Sequence, residues 1–117
     1  MALNLGVVGC GSMGRRRIRH AAGLQDTTVS IWDVRKDRRV SAGQEFRAEV
    51  FDREDDFMSE GLDALFISVP PSEHEHYIQR CLEIKIPFMV EQPISYQTGN
   101  LEDILSEVRQ AKMVTHV

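Results

Sequence analysis

Nine residues, GVVGCGSMG at positions 6–14, carry Gly9, Gly11 and Gly14 at G-x-G-x-x-G spacing on the end of the apolar run 5–8. A strand has to stop there, the chain has to turn tightly, and a helix has to start with its free N–H groups pointing outward. Each glycine has its own reason. Gly9 permits the turn, Gly11 leaves room where a Cβ would intrude on an approaching phosphate, and Gly14 lets the helix lie close on its strand. The first expectation is therefore a dinucleotide-binding turn, with the backbone of Ser12 and Met13 on the ligand side.

The pattern downstream is one of short apolar runs alternating with helical spacing. Strands are expected at 5–8, 29–33, 48–51, 64–69, 88–90 and 113–117. Leu101, Ile104, Leu105 and Val108 make one helical stripe, and Tyr77, Ile78, Cys81 and Leu82 make another. Ser72 and Glu75 match a capping box at the start of the second of these helices, just after Pro70 and Pro71 end a strand. A weaker helix is expected over 36–46, anchored by Val40 and Phe46 and interrupted by Gly43, and a short one within 52–61, anchored by Phe57 and Met58. Alternation of this kind predicts one α/β domain over 1–117: a Rossmann-type, doubly wound, parallel six-stranded sheet in the order 3-2-1-4-5-6 with helices on both faces. A chain of 117 residues buries roughly two-thirds of its unfolded surface, enough to fold unaided.

Asp33 closes the second expected strand 19 positions after Gly14, where such a fold puts the carboxylate that accepts hydrogen bonds from the adenosine ribose diol. That charge repels a 2′-phosphate and favours NAD. Arg35 works the other way, since its guanidinium could neutralise a 2′-phosphate or cover the adenine. NAD, or NADP, is the expected cofactor. The plainer reading of Asp33 and Arg35 is a capped strand end. Arg15, Arg16, Arg17 and Arg19 crowd the positive end of a helix dipole, an arrangement that a nearby anion would offset. Arg15 is the best placed of the four to face phosphates.

The composition excludes several classes. A net charge of −4 argues against a general nucleic-acid surface, and no apolar run approaches the length of a membrane span. Cys10 and Cys81 form no C-x-x-C pair and are expected to be reduced, and no ligand set has metal spacing. The opening residues lack the features of a secretory leader, so the expected compartment is the cytoplasm.

Residues 69–95, VPPSEHEHYIQRCLEIKIPFMVEQPIS, bring in a further pattern. Together with GCGSMG, the segments VPPSEH and EQP resemble the ordered motifs of the glucose-fructose oxidoreductase and inositol dehydrogenase family, Gfo/Idh/MocA, in which a T-P-P-x-x-H-like segment and an E-K-P tripeptide follow the glycine turn. The resemblance runs over essentially the whole chain. It implies that Val69 and Pro70 line the cofactor cleft with His74 beside them, that Glu91 holds the nicotinamide end, and that Pro93 shapes the turn. His74, in the first turn of its helix, is expected to be a neutral hydrogen-bonding group, against the plainer reading of a surface histidine on Pro71. Gln92 stands where the family usually has a lysine that assists proton transfer; an amide hydrogen-bonds there but does not titrate. No catalytic residue is assigned. Lys85 stands where the family tends to end the helix with glycine, and a left-handed lysine costs about 1 kcal/mol.

The resemblance also implies a parent oxidoreductase that moves hydride between nicotinamide and a hydroxyl-bearing carbon of a sugar or polyol. A second domain beyond Val117 would supply the substrate pocket and the interface of a homo-oligomer. This chain is then expected to be a domain of a longer protein, inactive alone. The alternative is a non-catalytic dinucleotide-binding sensor or scaffold, which the Gln92 exchange keeps open.

Overall fold

The structure is a computed structural model and describes residues 2–90. In chain order it contains β1 (Leu3–Val8), α1 (Ser12–Ala22), β2 (Thr27–Trp32), α2 (Lys36–Phe46), β3 (Glu49–Val50), α3 (Glu54–Met58), β4 (Ala64–Ile67), a 3-10 turn (Pro71–Glu73), α4 (His74–Ile84) and β5 (Phe88–Val90). The expected sixth strand at 113–117 and the helix carrying Leu101 to Val108 lie outside the described residues.

All described strand pairs are parallel, in the order β3-β2-β1-β4-β5. Val8 at the end of β1 is level with Trp32 of β2 and with Ile67 of β4, so three strands finish at one edge. The chain winds from β1 outward through β2 to β3, then crosses to β4 and winds outward the other way. The crevice of a doubly wound sheet opens where that direction changes, between the ends of β1 and β4.

Both faces of this sheet are covered, which explains why its strands read as unbroken apolar runs. Period-two alternation sends Leu3, Leu5 and Val7 of β1, with Phe66 of β4, into one core beside Ile18 and Ala21 of α1. Val8, Leu65 and Ile67 go to the other, beside Phe57 of α3 and Tyr77 and Cys81 of α4. Gly6 belongs to that second face: a Cβ there would lie 2.8 Å from Leu62 Cδ1 and 3.0 Å from Phe57 Cζ.

Four local expectations need correction. Val40 does not anchor α2, being 37% exposed; Arg39, Ala42 and Gly43 are the buried residues. Gly43 does not interrupt the helix but lets it rest on β3, since a Cβ would come within 2.1 Å of Val50 Cγ2. Leu82 is 58% exposed, because Tyr77 and Cys81 already fill the contact between α4 and the sheet. The capping box of Ser72 and Glu75 is not formed. Pro71 starts a 3-10 turn, closed by Glu73 N–H on the Pro70 carbonyl at 2.9 Å, and α4 begins only at His74 without a side-chain cap.

Lys85 does adopt the left-handed conformation, with φ 60° and ψ 47°, and the Ile86 N–H returns to the Cys81 carbonyl at 3.1 Å. Glycine removes the Cβ strain of that position, so Lys85→Gly should raise the free energy of urea unfolding by about 0.5–1 kcal/mol. A loss of stability would contradict this account.

A polar cluster ties α3 to α4. Glu54 accepts from His76 Nε2 and Arg80 Nη1, each at 2.7 Å, and Arg80 also holds Asp55 at 2.8 Å. Burial acts to raise the Glu54 pKa, but the hydrogen bonds from His76, Tyr77 and Arg80 outweigh it and hold the carboxyl below its usual range. The folded state then binds fewer protons at this site than the unfolded chain. Its contribution to stability is present above the ordinary glutamate value and is lost as pH falls through the lowered one. In urea titrations, the stability advantage of the native protein over Glu54→Gln should therefore shrink as pH falls below the ordinary glutamate value.

Candidate functional site

The three glycines of the turn do three different things. Gly9 sits at φ 96°, and a Cβ on it would lie 2.5 Å from the Ser68 carbonyl oxygen. A Cβ on Gly14 would lie 1.6 Å from the Gly9 carbonyl oxygen, so the first turn of α1 lies directly on the chain that leaves β1. Gly11 is different: the nearest atom to a Cβ there is Arg38 Nη1 at 3.5 Å. Its surroundings are open on the side a ligand would use.

Gly11 is also the N-cap of α1, and its carbonyl accepts the Arg15 N–H at 2.8 Å as the first helical bond. Glycine has no side chain with which to cap, so the amides of the opening turn face the cleft. This cleft has a volume of about 530 Å³ at the strand ends. Gly9, Gly11, Ser12 and Met13 line one side, Asp33, Val34, Arg35 and Arg38 the second, and Ser68, Val69, Pro70, Pro71, Glu73 and Tyr77 the third.

Asp33, 7% exposed, joins the first two sides. Its Oδ2 accepts the Cys10 N–H at 2.7 Å and its Oδ1 the Arg35 N–H at 2.8 Å. The strand-capping reading is thus correct as far as it goes, yet each carboxylate oxygen keeps a further lone pair for a ligand hydroxyl. Behind it, the buried Arg39 donates from Nη1 to the Asp33 carbonyl at 3.1 Å and stacks 5.2 Å above the Trp32 ring. Burial, followed by the Asp33 charge, pushes the Cys10 thiol up to about 12. Burial pushes Cys81 up to about 11. Both cysteines are free and stay protonated near neutral pH, so neither is a nucleophile.

The other arginines sort themselves by partner. Arg15 does not face the cleft: its Nη2 donates to Glu45 Oε1 at 2.5 Å, and its guanidinium lies over the Phe46 ring, as does that of Arg19. Arg35 is exposed and forms a two-point pair with Asp37 at 3.2 and 2.8 Å. Arg38 is the guanidinium that reaches across to Gly11, and the sequence reading missed it. Arg39 was legible in principle, because 39, 42, 43 and 46 share one helical face; a charged residue on that face was passed over. His74 is beside the cleft rather than in its lining. Its Nε2 lies 2.8 Å from the Val69 carbonyl oxygen, and since a carbonyl only accepts, Nε2 carries the hydrogen. Glu91, Gln92 and Pro93 lie outside the described residues. Among the described residues no group of His, Cys, Asp and Glu has metal-site geometry, and no helix is long and apolar enough to cross a membrane.

An open glycine at a helix N-terminus, a carboxylate at the end of the next strand and a switch-point cleft together define a dinucleotide-binding Rossmann domain. The chain belongs to the Gfo/Idh/MocA oxidoreductase family, described by its NAD-binding Rossmann fold, whose profile matches residues 3–117. Among curated relatives, the inositol 2-dehydrogenase of Renibacterium salmoninarum is 28% identical over 96 residues, covering 80% of this chain and 29% of the relative. The chain thus spans about a third of the length of the relatives it matches. Two solved structures share the fold. GenD2 of gentamicin A biosynthesis, in complex with NAD, superposes with a TM-score of 0.73 at 18% identity, covering 93% of this chain and 32% of that one. A 3-ketoreductase from Actinomadura kijaniata, in complex with NADP, gives 0.70 at 21% identity over 94% of this chain and 35% of that one.

The three glycines should respond differently to an added methyl group. Gly14→Ala, which drives a Cβ into backbone, should cost about 3 kcal/mol or more in urea unfolding. Gly11→Ala should stay within about 1 kcal/mol, the difference between glycine and alanine at an N-cap. Equal losses at the two positions would refute the distinction.

Proposed function

We propose that this chain is the cofactor domain of an oxidoreductase that moves hydride between nicotinamide C4 and a hydroxyl-bearing carbon of a sugar or polyol. The observation that carries the proposal is the Asp33 carboxylate and the open Gly11 amide turn meeting in one cleft, at the separation that the Cys10 hydrogen bond sets. The substrate class is suggested by relatives named inositol 2-dehydrogenase. In this reading Gly9, Gly11, Ser12, Met13 and Gly14 form the pyrophosphate cradle, and Asp33 accepts from the adenosine ribose hydroxyls. Val69 and Pro70 form the opposing wall, which His74 holds in shape through the Val69 carbonyl. Glu91 and Gln92 take the nicotinamide end.

Bound nicotinamide supplies the carbon that accepts or gives hydride; this chain binds and orients it. NAD is favoured over NADP, because the Asp33 charge faces the ribose and the Arg35 charge is already matched by Asp37. Arg38 adds a cation on the phosphate side. The substrate pocket and the oligomer interface would belong to the part of the relatives' length that this chain does not span. Gln92, an amide in place of the family lysine, supports a second reading, a non-catalytic sensor that retains the cofactor.

Trp32 adjoins Asp33 and reports on the site. Titration with NADH should change its fluorescence saturably, and Asp33→Ala should weaken binding by about tenfold or more, its melting being followed alongside because the carboxylate also holds the turn. An unsaturable signal, with no heat in calorimetry, would overturn the binding role. In the protein as encoded in full, supplied with NAD, NADH should form with a member of a polyol panel. Tight cofactor retention without turnover would favour the sensor reading.

A further inference from the structure

Two buried side-chain polar atoms lack a hydrogen-bond partner among the described residues, Arg39 Nε and Ser68 Oγ. The Arg39 guanidinium is already held by the Asp33 carbonyl, by Asp52 at 3.6 Å and by the Trp32 ring, so its Nε has no further task. Ser68 is in another position. It is the first residue after β4, at the strand switch, and its N–H donates to the Val8 carbonyl at 2.9 Å. Its carbonyl lies against Gly9, and its Cβ lies 3.6 Å from where a Cβ of Gly14 would be. The backbone of Ser68 is therefore clamped beneath the opening turn of α1, on the floor of the cleft it helps to line.

A clamped backbone leaves the hydroxyl one freedom, rotation about Cα–Cβ among three staggered positions. In the present position it is shut away from solvent and makes no bond, which is unfavourable for a group that both donates and accepts. Residue 68 as a whole is only half-buried, and it lines the cleft. In the dinucleotide reading, a pyrophosphate held by the α1 amides would lie above that floor, and its oxygens only accept and carry charge. A hydroxyl donor beside them gains a charge-assisted bond.

We propose that Ser68 is a further cofactor-binding residue, whose hydroxyl turns into the cleft and donates to the pyrophosphate of the bound dinucleotide. The proposal rests on the reading of this cleft as the dinucleotide site. It makes a prediction with two signs. Removing an unpartnered hydroxyl should leave the free protein no less stable, whereas removing a donor to a charged ligand should weaken binding.

The test is Ser68→Ala in the 117-residue chain, with melting measured without ligand and affinities for NADH, ADP-ribose and adenosine measured by calorimetry or by competition against NADH. The variant should melt at or above the native temperature, bind NADH and ADP-ribose about tenfold more weakly, and bind adenosine, which has no pyrophosphate, as the native protein does. Native affinity for NADH in the variant overturns the role of Ser68 alone. Lower melting with an equal loss for all three ligands assigns Ser68 a structural role and also overturns it. Failure of the native protein to bind NADH overturns the dinucleotide reading, and this inference with it.

Discussion

Everything in the site depends on the approach of Gly14 to Gly9. A helix that begins one short turn after a strand lies close on that strand only where no side chain intervenes, and here a single added carbon would sit on the Gly9 carbonyl oxygen. The close approach brings the amides of α1 to the edge of the sheet beside the end of β4. The turn is then held from the other side by Asp33, whose carboxylate accepts the Cys10 N–H. One residue thus serves as clasp and as candidate ligand, because a carboxylate has more acceptor positions than the backbone uses.

The arginines show how tertiary packing reassigns charge. Crowded cations after Gly14 look like an anion site when only the helix dipole is considered. In the folded domain, Arg15 and Arg19 instead bracket Phe46 and meet Glu45, fastening α1 to α2. The cost of Arg15 near the positive helix end is offset by a carboxylate 30 residues away in the chain, whereas Arg19 lies in the last turn of α1, where the dipole favours a cation. The guanidinium that does approach Gly11 comes from α2, as Arg38.

Much of the fold was legible because its signals are local or periodic. The glycine spacing, the five described strands and the full extent of α2 follow from runs and spacing, while the left-handed Lys85 was expected from the family resemblance, which puts a helix-ending glycine at that position. What failed did so for identifiable reasons. Val40 and Leu82 have apolar side chains, but burial is set by which face meets the sheet, and Arg39 and Gly43 occupy that face on α2. The capping box failed because Pro71, with its fixed φ, committed the chain to a 3-10 turn before α4 could start.

By itself, the sequence determined the class of fold and the location of the turn, since glycine at positions 9, 11 and 14 and an acid at 33 are constraints written residue by residue. Only the tertiary structure decided which neighbours share the cleft: Arg38 rather than Arg15, and Ser68 on the floor. Partner choice across 20 or more residues depends on how helices pack on a sheet. That packing is a property of surfaces brought together, and no local pattern in the chain encodes it.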